Sequence, residues 1–599
     1  MKKFLFASVL LFSFIGSYAQ LNNSWINYNN TYYKFYVAKD TLCRISQTTL
    51  AAAGLGSVPA QNFQLWRNGQ QVRIYTSVAT GVLGASDYIE FWGQMNDGKP
   101  DKPLYRNPDF QLDDKYSLYT DSAAYYLTVN TTGNNLRFTT QPNPVSGNVL
   151  PADAYFMRRI EEHYKSSLNA GKNNVLGETA VYSSSYEEDE GWTSNNIFPC
   201  CFLSKTYTGI NKYTAGPANS VTFTVNAAGA SALFTRDLNA KISNTVVLPQ
   251  TGQISPMPYY EYRRDTIRNL PLSLINNSGF SVAVGPKNSS DTTGINDRIV
   301  ISNFSVTYPA TFNFNNQSNF YFELKASAAG NYLVITNFSN NGVEPVLYDL
   351  NNGYRYVGDI AVAGQVRFVL PPSSDSLRKF NLVSNFSGNI LPIAQLTAKT
   401  FTNFSNPSNQ GDYIIISNPL LYDNGSGVNN VEQYRQYRSS AVGGGYNAKV
   451  YDINELKEQF GFGIKNHPSA VRDFIRWAVA NFTVKPKFVF LIGRAVSYYS
   501  YKYNEYTGTG AYNTDIDKMA LVPTFGWPAS DVLLACPPGS YVPLVPIGRL
   551  AAVNGNEVGI YLQKMKEYEL AQRSTIQTIG EKAWMKNMID LVGGGSTAE

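Results

Sequence analysis

Sulfur chemistry needs a thiolate and a base that can make one, so the four cysteines and two histidines are the first residues to place. Cys536 lies in A-C-P-P-G, in a loop of the last third where a substrate cleft could form. Nothing next to it offers a base, and a structural thiol is the reading its surroundings favour. Cys200 and Cys201 are neighbours, so a bridge between them is strained; pairing of either with Cys43 or Cys536 stays open. His467 precedes Pro468 at the start of a helical pattern, where a ring nitrogen can cap the first turn. His163 sits in E-E-H-Y-K beside Glu161 and Glu162 and reads as an exposed side chain of slightly raised basicity. With no C-x-x-C and two histidines, a zinc site of ordinary spacing is excluded.

The remaining polar candidates each have a plain alternative. Asp531 follows Ser530 in a loop at the edge of a parallel sheet, where ligands bind in such folds. It is the candidate for shaping a substrate cleft, with turn capping as the alternative. Arg549, at the end of a strand, reads as half of a structural ion pair. Glu187-Glu188-Asp189-Glu190 could hold Ca²⁺ through carboxylate oxygens, but without the turn geometry of a calcium loop it reads as solvated. Gly593, Gly595 and Ala598 fit G-x-G-x-x-A, yet neither the helix nor the acid a dinucleotide needs follows them. No other cofactor is expected.

Alternating strand and helix must carry these residues. Asp412–Ser417, Asn447–Asp452, Lys487–Gly493 and Leu544–Leu550 are apolar runs of strand length. Val471, Phe474, Ile475, Ala478 and Val479 recur on one helix face after Pro468, and Val558, Tyr561, Leu562, Met565 and Tyr568 on another. Continuous apolar strands between such helices predict a parallel sheet covered on both sides, over 411–599. Ahead of it the chain is β-rich. Phe63–Arg67, the turn Asn68-Gly69 and Gln70–Ile74 predict a hairpin with Leu65 facing Val72 and Phe63 facing Ile74. Thr48–Ala53 before Gly54 predicts a short helix. We divide this part into a β-rich domain over 20–141, a sandwich-like domain over 142–315, a further β-rich domain over 316–402 and a linker over 403–410.

Composition narrows the function classes. A hydrophobic content of 43% supplies packed cores, and 14% aromatic residues against 16% charged ones suit β-structure at an exported surface. A net charge of +5 without a basic stripe excludes nucleic acid as a partner. Lys2 and Lys3, the apolar run Phe4–Ile15 and Ser17-Tyr18-Ala19 read as a signal peptide over 1–19. No other apolar run approaches the roughly 20 residues of a membrane crossing, so an exported protein without a transmembrane segment is expected, between periplasm and outer-membrane surface or outside the cell.

Several short motifs carry a resemblance. F-V-F-L-I-G at Phe488–Gly493, V-P-T at Val522–Thr524, S-D at Ser530–Asp531 and I-G-R-L at Ile547–Leu550 lead to a helix with K-M-K-E-Y-E at Lys564–Glu569. In order and spacing they resemble the gingipain-type cysteine peptidases. With the β-rich region ahead, the chain resembles their sortase-like branch, which serves type IX secretion. The resemblance covers the last third by motif and the rest by layout. It implies a caspase-like domain whose catalytic His, usually before Gly, and Cys lie in its second half. Neither His163 nor His467 precedes Gly. Met588–Val592 resembles the first strand of that half, and the sequence ends seven residues later at Glu599. The chain is therefore expected to be an N-terminal portion, incomplete in its α/β domain, with its catalytic residues beyond Glu599 and no activity alone.

The implied reaction is cleavage of C-terminal signals from secreted cargo, with the acyl group passed to water or a lipopolysaccharide amine. The implied partners are such cargo and other type IX components. Ser540 and Tyr541 stand where arginine-specific members carry an acidic residue, so arginine specificity is not implied, and Arg494 stands where the family commonly has Asp. Two alternatives remain: a non-enzymatic surface binding or adhesion protein on a retained α/β scaffold, and a secretion component that only positions cargo.

Overall fold

Asn68 and Gly69 both take positive φ, 49° and 70°, the two-residue turn whose twist matches paired strands. They join Phe63–Arg67 to Gln70–Val72, with Leu65 facing Val72. Ile74 does not face Phe63: the second strand stops at Val72, Ile74 bridges to Arg137, and Phe63 pairs with Val129. In this computed structural model the described residues are 23–176, 179–199, 201–230, 235–249, 256–258, 261–287, 298–573 and 578–587. The expected signal peptide, the expected strand at 588–592 and the glycine motif at 593–598 lie outside them.

The hairpin edges a five-stranded sheet with Tyr32–Val37, Ala123–Val129 and Thr397–Lys399. A second sheet holds Thr41–Ser46, Tyr75–Thr76, Tyr88–Gly93 and Ile390–Pro392. Phe35, Phe63, Leu65, Phe91 and Tyr125 fill the core they share. Both sheets are thus completed by strands that arrive only after the intervening modules have been built. The short helix forms at Gln47–Ala52, capped by Ser46, and Gly54 at φ 79° ends it.

Between these strands lie two further β-layer pairs. Phe156–His163, Val221–Gly229, Tyr262–Leu270 and Ile299–Ala310 form one sheet, and Leu203–Tyr207, Thr235–Ile242, Thr245–Leu248, Pro256–Pro258 and Phe280–Lys287 another. Alternation along Val221-Phe223-Val225 turns those side chains inward. The sheets over 313–383 continue the same core, where the rings of Phe156, Phe312, Phe314 and Phe322 meet.

The last third is a four-stranded parallel sheet: β1 (Tyr413–Ser417), β2 (Ala448–Asp452), β3 (Phe488–Ile492) and β4 (Ile547–Leu550), in the order β2-β1-β3-β4. The apolar run from Leu544 joins the ladder only at Ile547, because Pro546 has no N–H to give. Helices α1 (Asn430–Ser439) and α4 (Gly555–Arg573) cover one face, and α2 (Ile453–Phe460) and α3 (Ser469–Asn481) the other. Ile414 and Ile416 point to the α3 side, Tyr413 and Ile415 to the α4 side, which is why β1 reads as continuously apolar. Within 403–410, Phe404 packs against Tyr451, Phe460 and Phe474.

Three buried acids tie the β-modules to this sheet. Asp101 accepts from Ser117 Oγ at 3.2 Å and Leu118 N at 2.7 Å, and lies 3.2 Å from His467 Nε2. Glu190 accepts from the Tyr498 hydroxyl and, at 2.9 Å, from Glu187 N, while Tyr105 donates to its carbonyl at 2.7 Å. Glu458 takes Lys34 Nζ at 2.5 Å and the Tyr126 hydroxyl. The run 187–190 is therefore not the solvated loop its charge suggests: Glu187, Asp189 and Glu190 are buried, because aromatic rings from both units close over them.

Burial lifts the Glu190 carboxyl from 4.5 to about 8, against the lowering effect of the Tyr498 and Glu187 hydrogen bonds. Folded, it keeps a proton that the unfolded chain has released. That contribution is complete below the unfolded value and is lost as pH rises through the folded one. In urea titrations between about pH 5 and 9, wild type should lose more stability with rising pH than Glu190→Gln. A gap between the two that does not change with pH would refute the assignment.

Candidate active-site edge

Ligands of a parallel sheet collect at the carboxyl ends of its strands, here Ser417, Gly493 and Leu550. At this edge one guanidinium organises the backbone. Arg549 Nη1 donates to the carbonyls of Gly493 at 2.7 Å and Val522 at 2.9 Å, and Nη2 to that of Pro523 at 2.8 Å. Its Nε and Nη2 grip Asp531 from two sides at 2.8 and 2.7 Å. Thr524 Oγ1 adds a bond to Asp531 at 3.0 Å. Four of the five short segments on which the family resemblance rests meet at this one side chain. Gly493 allows it: at φ 141°, an added Cβ would sit 2.9 Å from Val522 Cγ2. Arg494 keeps its backbone in the same turn, accepting from Leu521 N at 2.9 Å.

Asp531 therefore faces Arg549 and shapes the loop 521–531 that borders the strand ends. The side-chain contacts of Arg549 could have been expected from its strand-end position, but the three carbonyls it collects leave no mark in sequence.

Neither histidine meets a cysteine among the described residues. His467 is buried, with Nδ1 2.6 Å from Ser469 Oγ and accepting from Ser469 N, and Nε2 turned to Asp101. It takes the first N–H of α3, whose N-cap is Pro468, and belongs to the seam. His163 is not the exposed side chain its neighbours suggest. It lies on a strand, partly covered, with Nδ1 2.8 Å from Asp113 and Nε2 3.7 Å from Glu161. Burial opposes its charge, but those two carboxylates outweigh burial and lift the imidazole to about 9. Cys536 is a buried free thiol that donates to the Val532 carbonyl at 3.3 Å, and burial raises its pKa despite nearby Arg476. A nucleophilic thiol needs the opposite shift. Cys201 is disulfide-bonded while Cys43 and Cys536 are free, so neither of those two is its partner. No cluster of three or more metal-ligating side chains occurs among the described residues.

Residues 406–599 match the family model of Peptidase family C25. This stretch is a gingipain-family domain region. The whole chain is similar in fold to dimeric latent PorU from Porphyromonas gingivalis, at 12% identity and a TM-score of 0.55. The alignment covers 93% of this chain and 52% of that one, so the chain spans about half the length of the PorU structure. The CBM36-1 domain of a multidomain xylanase from the hindgut metagenome of Trinervitermes trinervoides is 12% identical over 25% of this chain and 96% of its own, with a TM-score of 0.14. That score is too low to bear on the β-modules. No curated protein matches the sequence. The gingipain-family region is the one that Arg549 organises, and the fold similarity to the PorU structure extends over the β-rich modules ahead of it.

Replacing Arg549 by Leu would leave three carbonyls without their donor and Asp531 with Thr524 alone. Breaking a largely buried pair from one side costs about 3 kcal/mol, which should show in urea unfolding of Arg549→Leu, with Arg549→Lys intermediate. A loss below about 0.5 kcal/mol, the level of an ordinary surface substitution, would show that the edge does not depend on this guanidinium.

Proposed function

We propose that this chain builds the platform and the cleft edge of an exported cysteine peptidase of sortase-like type in type IX secretion. Its reaction is removal of C-terminal signals from secreted cargo. The carrying observation is the convergence of Gly493, Val522, Pro523 and Asp531 on Arg549, within a region that matches a cysteine peptidase family. That convergence fixes the loops at the strand ends, where such a peptidase must present a scissile carbonyl.

The thiolate that attacks this carbonyl, and the imidazole that moves the proton, are not supplied by the described residues. Cys536 is held as a thiol, His467 is committed to Asp101 and Ser469, and His163 to Asp113 and Glu161. We infer that the chain alone does not cleave peptides and that the dyad comes from sequence beyond Glu599. In the acting enzyme, backbone N–H groups at the sheet edge would hold the oxyanion. Cargo and other type IX components are the partners this reading implies. Among the described residues no helix is long and apolar enough to cross a membrane. The expected signal peptide supports export.

The test is a thiol-directed, peptide-like activity probe applied to this chain and to one extended past Glu599. Labelling with turnover should occur in the longer chain alone. Turnover by the present chain, or labelling that maps to Cys536, would overturn the reading. Absence of activity from both, with cargo bound but uncut, would favour a component that only positions cargo.

A further inference from the structure

A concavity of about 1090 Å³ opens on the side of the sheet covered by α3, between that helix, the loop 533–544 and the β-module residues 67–70 and 97–108. None of Gly493, Asp531 or Arg549 lines it, so it is separate from the strand ends. Its floor is apolar, with Leu104, Phe462, Phe525 and Leu533, and Pro537 and Pro538 stiffen one lip. A cleft of this size, at a junction of modules, is slightly larger than the ~300–1,000 Å³ range of small-ligand sites.

Its charges are unbalanced. Five basic side chains line it against two acidic ones, Asp97 and Asp473. Lys99 and Arg67 share Asp97, at 2.9 and 3.7 Å. Arg106 pairs outside the cleft with Glu187 at 2.6 Å, and Arg472 takes Asp473 at 2.7 Å. That leaves Arg476. Its Nε and Nη2 both donate to the Cys536 carbonyl, and its Nη1 has only Asp473 at 3.9 Å, beyond hydrogen-bond length and already engaged by Arg472. Burial and the neighbouring Arg472 depress the Arg476 guanidinium to about 10, as expected of a cation short of a counter-charge.

We propose that this cleft binds an extended apolar peptide segment whose carboxylate pairs with Arg476. A guanidinium with a free edge is shaped for a carboxylate. A peptide fits better than an acyl chain of the same charge. Asn68, Gln70 and Ser185 line the walls. A peptide backbone gives such groups partners, whereas an acyl chain would strand them. The proposal goes beyond the peptidase reading and does not depend on it, since it concerns equilibrium binding by residues on another face.

The test uses a fluorescein-labelled hexapeptide of leucine, valine and alanine with a free C-terminal carboxylate, its C-terminal amide, and decanoate as competitor, followed by fluorescence anisotropy. The acid should bind saturably and the amide about tenfold more weakly, the scale of one charge-assisted bond. Arg476→Met should abolish that difference and Arg476→Lys keep part of it. Tyr541→Ala, at the exposed rim, should weaken acid and amide alike. Equal affinity of acid and amide for the wild-type chain, no saturable binding, or displacement by decanoate as effective as by unlabelled peptide would each overturn the proposal. If Arg476→Met fails to fold, the wild-type comparison and Tyr541→Ala still decide it. Cleavage is not read, so a failure here leaves the peptidase reading standing.

Discussion

The seam of buried acids is the constraint on which the arrangement of the chain depends. Asp101, Glu190 and Glu458 are removed from water at the junction of the β-modules and the parallel sheet, and each is met by partners from the other side. A buried carboxyl without such partners would cost several kcal/mol, so only one docking of the two units leaves all three satisfied. Apolar rings supply area around them, in one continuous cluster that includes Tyr105, Tyr119 and Tyr186 from the β-modules with Phe474 and Val522 from the α/β unit. Area favours contact, and the acids choose its geometry. The strands Ile390–Pro392 and Thr397–Lys399 reinforce this by closing the first two sheets immediately before β1 begins.

Much of the α/β unit was legible because its signals are local. The apolar runs fall on β1 to β4, and the faces read after Pro468 and from Val558 are the buried faces of α3 and α4, except that Tyr568 at the end of the second is exposed. The hairpin at Asn68-Gly69 was legible through its turn chemistry, up to the point where Ile74 leaves for a non-local partner. What sequence could not show was contact at long separation. Four acids in a row look solvated until Tyr105 and Tyr498 are seen to enclose Glu190, and His163 looks exposed until Asp113 arrives beside it. Charge in sequence signals exposure only where no distant partner exists.

The candidate site divides along the same line. Its motifs could be read as short strings, but the reason they belong together is a single side chain. Arg549 makes one unit of Gly493, Val522, Pro523 and Asp531, residues spread from position 493 to position 531, by donating to one carboxylate and to carbonyls that no strand ladder reaches. A lysine could not serve all of them, because it lacks the planar fork. Asp531 fits a positioning residue better than a group that touches substrate: its carboxylate is occupied by Arg549 and Thr524.

The later part of the connection between β3 and β4, after the short helices Tyr498–Tyr503 and Thr514–Met519, shows how such a site is kept still with almost no secondary structure of its own. From Leu521 to Val545 it has one short 3₁₀ turn at Val532–Ala535 and no strand. Its backbone polar groups must therefore find partners elsewhere. Arg549 takes the carbonyls of its first part, and Arg476 takes that of Cys536 further on. Guanidinium groups suit this because each has five donors in a fixed plane, so one rotamer can hold several carbonyls at once. The two arginines come from opposite sources, one from the sheet and one from α3, so the segment is held against both layers of the fold. Arg549 commits all five of its donors in this way, whereas Arg476 keeps an edge for the cleft beside α3.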